Sequence, residues 1–317
     1  MFIVVVFLCF LFEFQQNVHA TNMTSGQMLD KSIETLQGHI QRLTASTKDL
    51  EQKYNTLDKK VNNLKKLHVS CAPCKASTEA TGVCDCTDIK PRRDCLQFYL
   101  DGYKVNGVYR LQEYKGPGFH TLHAYCDQTT QGGGWTVFQR RQDGSVDFHR
   151  NWIEYKKGFG NIEGEFWFGN ENIHDLTKSS VAPKKSQLLI NMRMKGQNKQ
   201  VYAKYNTFEI TDLDSKYTLR INGFTGNATN SPNLLDHNNN QKFTTYDADN
   251  DSHNSINCAS TYKLKPTQPG GWWYGTCSDT LLNGKYSFTK TYEEIAWDDS
   301  SNWLQPEFVE MKFRRNL

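Results

Sequence analysis

Residues 132–152 read GGGWTVFQRRQDGSVDFHRNW, and the fold is decided by how this stretch is read. Three consecutive glycines let a backbone turn tightly or pass close to a neighbouring segment. TVFQRR then alternates like a half-buried strand, and QDGS reads as a turn. The glycines lack the following lysine and helix that a phosphate loop needs. On local chemistry alone the stretch is a turn, a strand and a second turn.

The same Gly-and-aromatic style continues in GFGN at 158–161, GEFWFGNE at 164–171 and IHDL at 173–176. Together these motifs resemble the signature of the fibrinogen C-terminal domain family, and the resemblance extends collinearly over residues 94–315. It implies an α+β head over 94–317, with a mixed or antiparallel sheet and long loops. It implies much less about the ligand, because function must be argued from the site. Tryptophans concentrate here and after position 272, where they read as core.

The chain has 317 residues, a net charge of +3 and nine cysteines. That length allows one sizeable domain plus extensions, at about 150 residues per domain. Basic and acidic residues are mixed, so no basic stripe points to nucleic acid. Residues 2–12 are an apolar run followed by Val18-His19-Ala20, which reads as a signal peptide over 1–20. The run is far shorter than the ~20 residues of a membrane span. A secreted, extracellular protein is expected. Without Cys9 eight cysteines remain, and an even number in an exported chain reads as disulfides. Asn22 and Asn227 open N-glycosylation sequons. A third sequon at Asn250 falls in a candidate metal loop and is expected to stay unused.

Leu29, Leu36, Leu43, Leu50, Leu57 and Leu64 recur every seven residues, with Ile33, Ile40, Thr47, Tyr54 and Val61 between them. This is a heptad repeat with Leu at d, expected to form a parallel coiled-coil stalk over 26–68. A helix packed on its own head would not need a strict seven-residue period. The a/d pattern leans toward a dimer, whereas the family resemblance leans toward a trimer. Lys53 is placed to reach Asp58 of a neighbouring helix.

Residues 69–93 read as a hinge carrying Cys71-Ala-Pro-Cys74 and Cys84-Asp-Cys86. A redox pair, a zinc site and disulfides within or between chains all fit such spacing, and disulfides suit an oxidising compartment best. In the head, 188–194 and 201–208 read as strands, and 224–245 as a long polar loop. The resemblance implies two disulfides, Cys95 with Cys126 and Cys258 with Cys277.

Residues 245–255, TYDADNDSHNS, place carboxylates at alternate positions. Dense hard oxygen donors suit Ca²⁺, which takes about six to eight of them. The loop is no EF-hand, because the glycine at position six and the closing glutamate are missing. A solvated acidic turn is the bland reading. By resemblance it is the family's calcium loop. Asp249 and Asp251 would supply carboxylates, His253 and Ser255 carbonyls, and Asp247 support from outside the shell. The spacing from Asp251 to Cys258 is one residue longer than the family's, which affects the carbonyl donors more than the aspartates.

In lectin-like relatives a pocket for an acetyl group adjoins this loop, and Tyr262, Cys277, Ser278 and Tyr292 match its positions. A tyrosine offers an apolar wall with a polar tip. The chain departs from that pattern at three points. Ser278 stands where a histidine is common, residues 263–271 add about six residues, and the 284–297 segment is slightly short.

Two functional classes follow. One is a secreted, oligomeric, calcium-binding lectin of innate-immunity type. The other is an extracellular protein ligand or matrix protein of angiopoietin-like or tenascin-like kind. An enzyme is not expected, because no Ser-His-Asp, HExxH or phosphate-loop arrangement occurs. With Ser278 in place of histidine, any sugar binding at this pocket should hold steady between about pH 5 and 6, where a histidine would titrate. Binding isotherms at saturating calcium check this, and a steep loss over that interval would refute it.

Overall fold

The computed structural model describes residues 24–66, 71–72, 74–76, 83–113, 120–178, 185–197, 200–228, 235–262, 265–277, 280–298 and 303–316. The expected signal peptide and Asn22 lie outside them. The chain forms two compact units, Met1–His68 and Val69–Leu317.

Among the described residues the first unit is one helix, α1 (Ser25–Lys66). Thr24 and Gln27 cap it reciprocally. The Thr24 N–H donates to Gln27 Oε1 at 2.9 Å, and the Gln27 N–H donates to Thr24 Oγ1 at 3.4 Å. The heptad residues from Leu29 to Tyr54 stand exposed, Leu43 at 68%. The helix is thus consistent with a coiled coil. Lys53 pairs with Asp49 of its own helix at 2.7 Å. Among the described residues no helix is long and apolar enough to cross a membrane.

The second unit is built on one mixed sheet. Its strands are β1 (Lys75–Ala76), β2 (Cys84–Asp85), β3 (Gly107–Glu113), β4 (His120–Asp127), β5 (Trp135–Arg141), β6 (Phe159–Gly160), β7 (Phe166–Trp167), β8 (Ser186–Met194), β9 (Gln200–Ile210), β10 (Leu219–Gly226) and β16 (Pro306–Arg315). The order is β1-β2-β3-β4-β5-β16-β8-β9-β10, with β7 pairing β5 and β6 pairing β7. Among the described strands only the β2–β3 pair is parallel within it. Short helices α2 (Cys95–Leu100), α3 (Trp152–Lys157) and α4 (Asn170–Thr177) accompany the sheet. Small pairs β11 (Thr261–Tyr262) with β12 (Lys265–Pro266), and β13 (Thr280–Leu281), β14 (Ala296–Asp298) and β15 (Trp303–Leu304), complete the head.

In the segment read as a Cys-containing hinge, the expected disulfides form. Cys71 pairs with Cys84 and Cys74 with Cys86 inside one chain, and β1 and β2 extend the head's sheet. Residues 224–226 belong to β10 rather than to a loop. β5 is buried along its whole length rather than half-buried. Alternation misled there because its two arginines are neutralised inside. Arg140 Nε meets Glu310 at 2.9 Å, and Arg141 lies 3.7 Å from Glu165.

The remaining signature residues fold as the sequence suggests. Gly133 and Gly134 both have positive φ, and a Cβ on Gly134 would lie 2.7 Å from Leu96. The QDGS turn closes around buried Glu165. One carboxylate oxygen accepts the N–H groups of Gln142, Asp143 and Gly144, and the other accepts that of Val146. Trp135, Trp167, Trp272, Trp273 and Trp297 are fully buried. Both implied disulfides, Cys95–Cys126 and Cys258–Cys277, are present.

Lys312, 2% exposed, sits between Asp127 at 2.5 Å and Glu310 at 2.8 Å. Burial alone would raise the Asp127 carboxyl, but the Lys312 ammonium and the Thr130 donors hold it down at about 2. Glu294 is likewise pulled down to about 2 against burial, by Thr289, Ser287 and Gln305. Both carboxyls lie below their ordinary values of 3.8 and 4.5. Their stabilisation is therefore complete above those values and is lost as pH falls toward 2. Melting temperature should drop across that acid window. Lys312→Ala should cost about 3–5 kcal/mol at neutral pH by stranding buried carboxylates, and it should flatten the acid dependence. Thermal melts from pH 7 to 2 test both effects.

Candidate functional site

The site is a loop held in shape by its own asparagines and aspartates. Thr245 and Ala248 exchange backbone hydrogen bonds at 3.1 Å, closing a tight turn. Asn250 Nδ2 donates to the Phe243 carbonyl at 3.0 Å and the Ala248 carbonyl at 3.3 Å. Asn257 Nδ2 donates to the carbonyls of Thr245 and Tyr246. Side-chain amides thus supply hydrogen bonds that a loop cannot draw from a ladder.

Asp247 fastens the loop to α3. Its Oδ1 accepts the Trp152 N–H at 2.9 Å and the Thr245 hydroxyl at 2.7 Å. Trp152 is the first residue of α3, so a carboxylate meets the positive end of the helix.

Asp251 organises the far side of the loop. Oδ1 accepts the His253 N–H and Oδ2 the Cys258 N–H, both at 2.8 Å. Asp249 Oδ1 receives the Asp251 N–H at 3.4 Å. Burial raises the Asp251 carboxyl, its N–H donors oppose the rise, and neighbouring Asp249 adds to it. Ser255 is exposed, and its N–H donates to His253 Nδ1 at 3.3 Å. Among the described residues no three His, Cys, Asp or Glu side chains converge as a metal-binding group.

The Cys258–Cys277 disulfide carries this loop to the next segment. The Ser252 N–H donates to the Gly275 carbonyl at 3.1 Å, a second tie at the same place. Cys277 has a φ of +68°, a left-handed conformation costing a non-glycine residue about 1–3 kcal/mol. Ser278 lies outside the described residues. Tyr262 is on β11, opposite Lys265, so the extra residues fold back as a small hairpin. This hairpin is tied to the 291–294 turn, because the Gln268 N–H donates to Glu293 Oε2 at 3.1 Å. Tyr292 stands in that turn, 50% exposed.

The chain therefore draws the acidic loop, the disulfide, the extra hairpin and the Tyr292 turn into one region. The sequence reading missed the part played by Asn257, Ser252 and Trp152. The signal available for Asn257 was its place immediately before Cys258. The Trp152 contact spans 95 residues and had no local signal.

The family model for the fibrinogen beta and gamma chains, C-terminal globular domain, matches residues 91–316. Rat tenascin-R is 42% identical over 226 residues, which is 70% of this chain and 15% of tenascin-R. The chain thus spans only about 15% of the length of that relative. Human angiopoietin-related protein 7 is 34% identical over 290 residues, covering 89% of this chain and 75% of that protein. The solved fibrinogen-like globe domain of human ANGPTL2 has a TM-score of 0.62 at 36% identity, covering 72% of this chain and all of that one.

Replacing Asp247 with Ala should lower stability by about 1 kcal/mol, the scale of a lost helix-terminal carboxylate and its hydrogen bonds. It should also speed amide exchange at Trp152 and across 245–251 while leaving β8 and β9 unchanged. Hydrogen exchange by mass spectrometry resolves these segments.

Proposed function

This chain belongs to the fibrinogen C-terminal domain family, and from that membership we propose that its head recognises an extracellular protein through the face made by residues 245–277 and the Tyr292 turn. The family's domains of angiopoietin-like and tenascin kind are extracellular and ligand-binding. The observation that carries the finer reading is the convergence of the acidic loop, the Cys258–Cys277 bridge and the extra hairpin beside half-exposed Tyr292. Loops on a rigid scaffold are where binding residues gather. Similarity to angiopoietin-related protein 7 over 89% of this chain supports a protein partner.

Calcium has a defined part in this proposal. Asp249 and Asp251 are hard oxygen donors placed close together, and a cation would relieve the rise that burial and Asp249 impose on Asp251. With few side-chain donors, backbone carbonyls such as those of His253 and Ser255 would complete the shell. The ion would shape the loop beside the ligand rather than react with it. Copies joined through the heptad face of α1 would raise the avidity of weak heads. Dimer and trimer both satisfy this role.

A lectin is the second reading, favoured by the match of Tyr262, Cys277 and Tyr292 to the pocket positions that the family resemblance implies. Its ligand would be an acetylated or other glycan, and the extra hairpin would retune the pocket.

Calorimetry of the full chain separates the two. Calcium should bind the wild type and fail to bind Asp249→Ala/Asp251→Ala. N-acetylglucosamine should give no heat with calcium loaded if the partner is a protein. Cell-surface binding should then resist glycosidases and be lost to protease. Calcium-dependent heat with the sugar would instead install the lectin reading. Absence of calcium binding in folded wild type would remove the metal from both.

A further inference from the structure

The head's main sheet has two margins, closed by different means. At one, β1 is two residues long and carries Lys75, which is ion-paired with Asp88. Short, charged edge strands resist pairing with another chain. At the other margin β10 runs for eight residues. Its first part is covered. The Leu219 N–H donates to the Gln241 carbonyl at 3.0 Å, the Asn240 N–H to the Leu219 carbonyl at 2.8 Å, and the Ile221 N–H to Asn239 Oδ1 at 3.0 Å.

Among the described residues nothing gives that cover to residues 222–226, NGFTG, which hold neither charge nor proline. All but Phe224 are exposed. Among the described residues, their hydrogen bonds outside the β9 ladder reduce to one, from the Gly223 N–H to Asn222 Oδ1 at 2.6 Å. An uncharged open edge is a template for a second strand.

Asn227 follows at once, exposed. Its N–H donates to the Tyr202 carbonyl at 3.0 Å, and its Oδ1 accepts the Tyr202 N–H at 2.9 Å. A backbone N–H requires an oxygen acceptor, so the amide orientation is fixed with Nδ2 left over. Nδ2 is the atom that N-glycosylation modifies, and Asn227-Ala228-Thr229 is a sequon. The other sequon of the head, at Asn250, spends Nδ2 on the Phe243 and Ala248 carbonyls.

We propose that Asn227 carries the N-linked glycan of the head, and that this glycan shields residues 222–226 from strand pairing with a second copy. A bulky, solvated chain there does what charge and brevity do at β1. In the transfer, Asn227 Nδ2 bonds to the anomeric carbon of an oligosaccharide carried on a lipid diphosphate. The anomeric C–O bond breaks, Nδ2 loses one proton, and the lipid diphosphate leaves. The inference rests on the extracellular reading, which brings the chain past the transferase.

The test uses the full chain expressed through the secretory pathway of cultured eukaryotic cells. Enzymatic glycan release in heavy-oxygen water should label Asn227 and leave Asn250 unlabelled, and Asn227→Gln should lose one glycan by intact mass. Enzymatically deglycosylated folded protein and Asn227→Gln should both self-associate beyond the glycosylated protein, with average sedimenting mass roughly doubling as concentration rises. Adding Thr225→Lys, a charge on the open edge, should reverse that gain. Bare Asn227 in protein with its four disulfides formed overturns this inference alone. Bare Asn227 with free thiols overturns the extracellular reading as well. Unchanged sedimentation after deglycosylation overturns the shielding role.

Discussion

A lysine ammonium at the centre of the largest sheet sets the conditions for everything around it. Lys312 is almost wholly buried, and an unpaired charge there would cost several kcal/mol. It is tolerated because Asp127 on β4 and Glu310 on β16 flank it and Arg140 on β5 closes the group. Arg140 also donates to the carbonyls of Ile162 and Gly164 and lies over the Tyr125 ring at 4.1 Å. Four charges from three strands must be in place together, so each strand's register constrains the others. β16 carries an irregularity between Met311 and Lys312 within this group. Arg141 and Glu165 repeat the logic one residue on, and Glu165 in turn holds the 142–146 turn.

Much of this was legible in the sequence wherever the cause was local. The heptads announced α1, because a period of seven needs no knowledge of partners. Glycines 132–134 and the 164–171 motif announced the head, and β8 and β9 lie where 188–194 and 201–208 were read. What escaped was non-local. The 136–141 stretch read as a half-buried strand, and only carboxylates at Glu310 and Glu165 let both of its arginines lie inside. Residues 84–86 looked like linker, since nothing in their composition reveals the parallel pairing of β2 with Gly107 and Val108. Residues 224–226 were read as loop because the stretch they open is polar, and tertiary pairing with β9 overrode that composition.

The candidate site follows the same division. Its alternating aspartates were visible, and Asp247, Asp249 and Asp251 do separate jobs in the structure. Asp247 holds a helix terminus, Asp251 ties the chain to Cys258, and Asp249 faces Asp251. Their arrangement depends on amides from Asn250 and Asn257, which composition marks only as polar. A covalent bridge and a strained Cys277 then fix the neighbouring segment. Rigid loops of this kind bind with little ordering cost.

β16 pairs with β5 on one side and β8 on the other, and those two strands do not pair with each other. A ribosome emits residues 306–315 only after every strand they join. Until then, β5 and β8 each present one edge of unpaired backbone N–H and C=O groups, so the nascent head cannot close its core before that strand emerges. It must wait in a partly formed, aggregation-exposed state for its last strand. A frameshift or early stop within the codons for residues 306–315 would therefore delete the seam of the sheet rather than trim a tail.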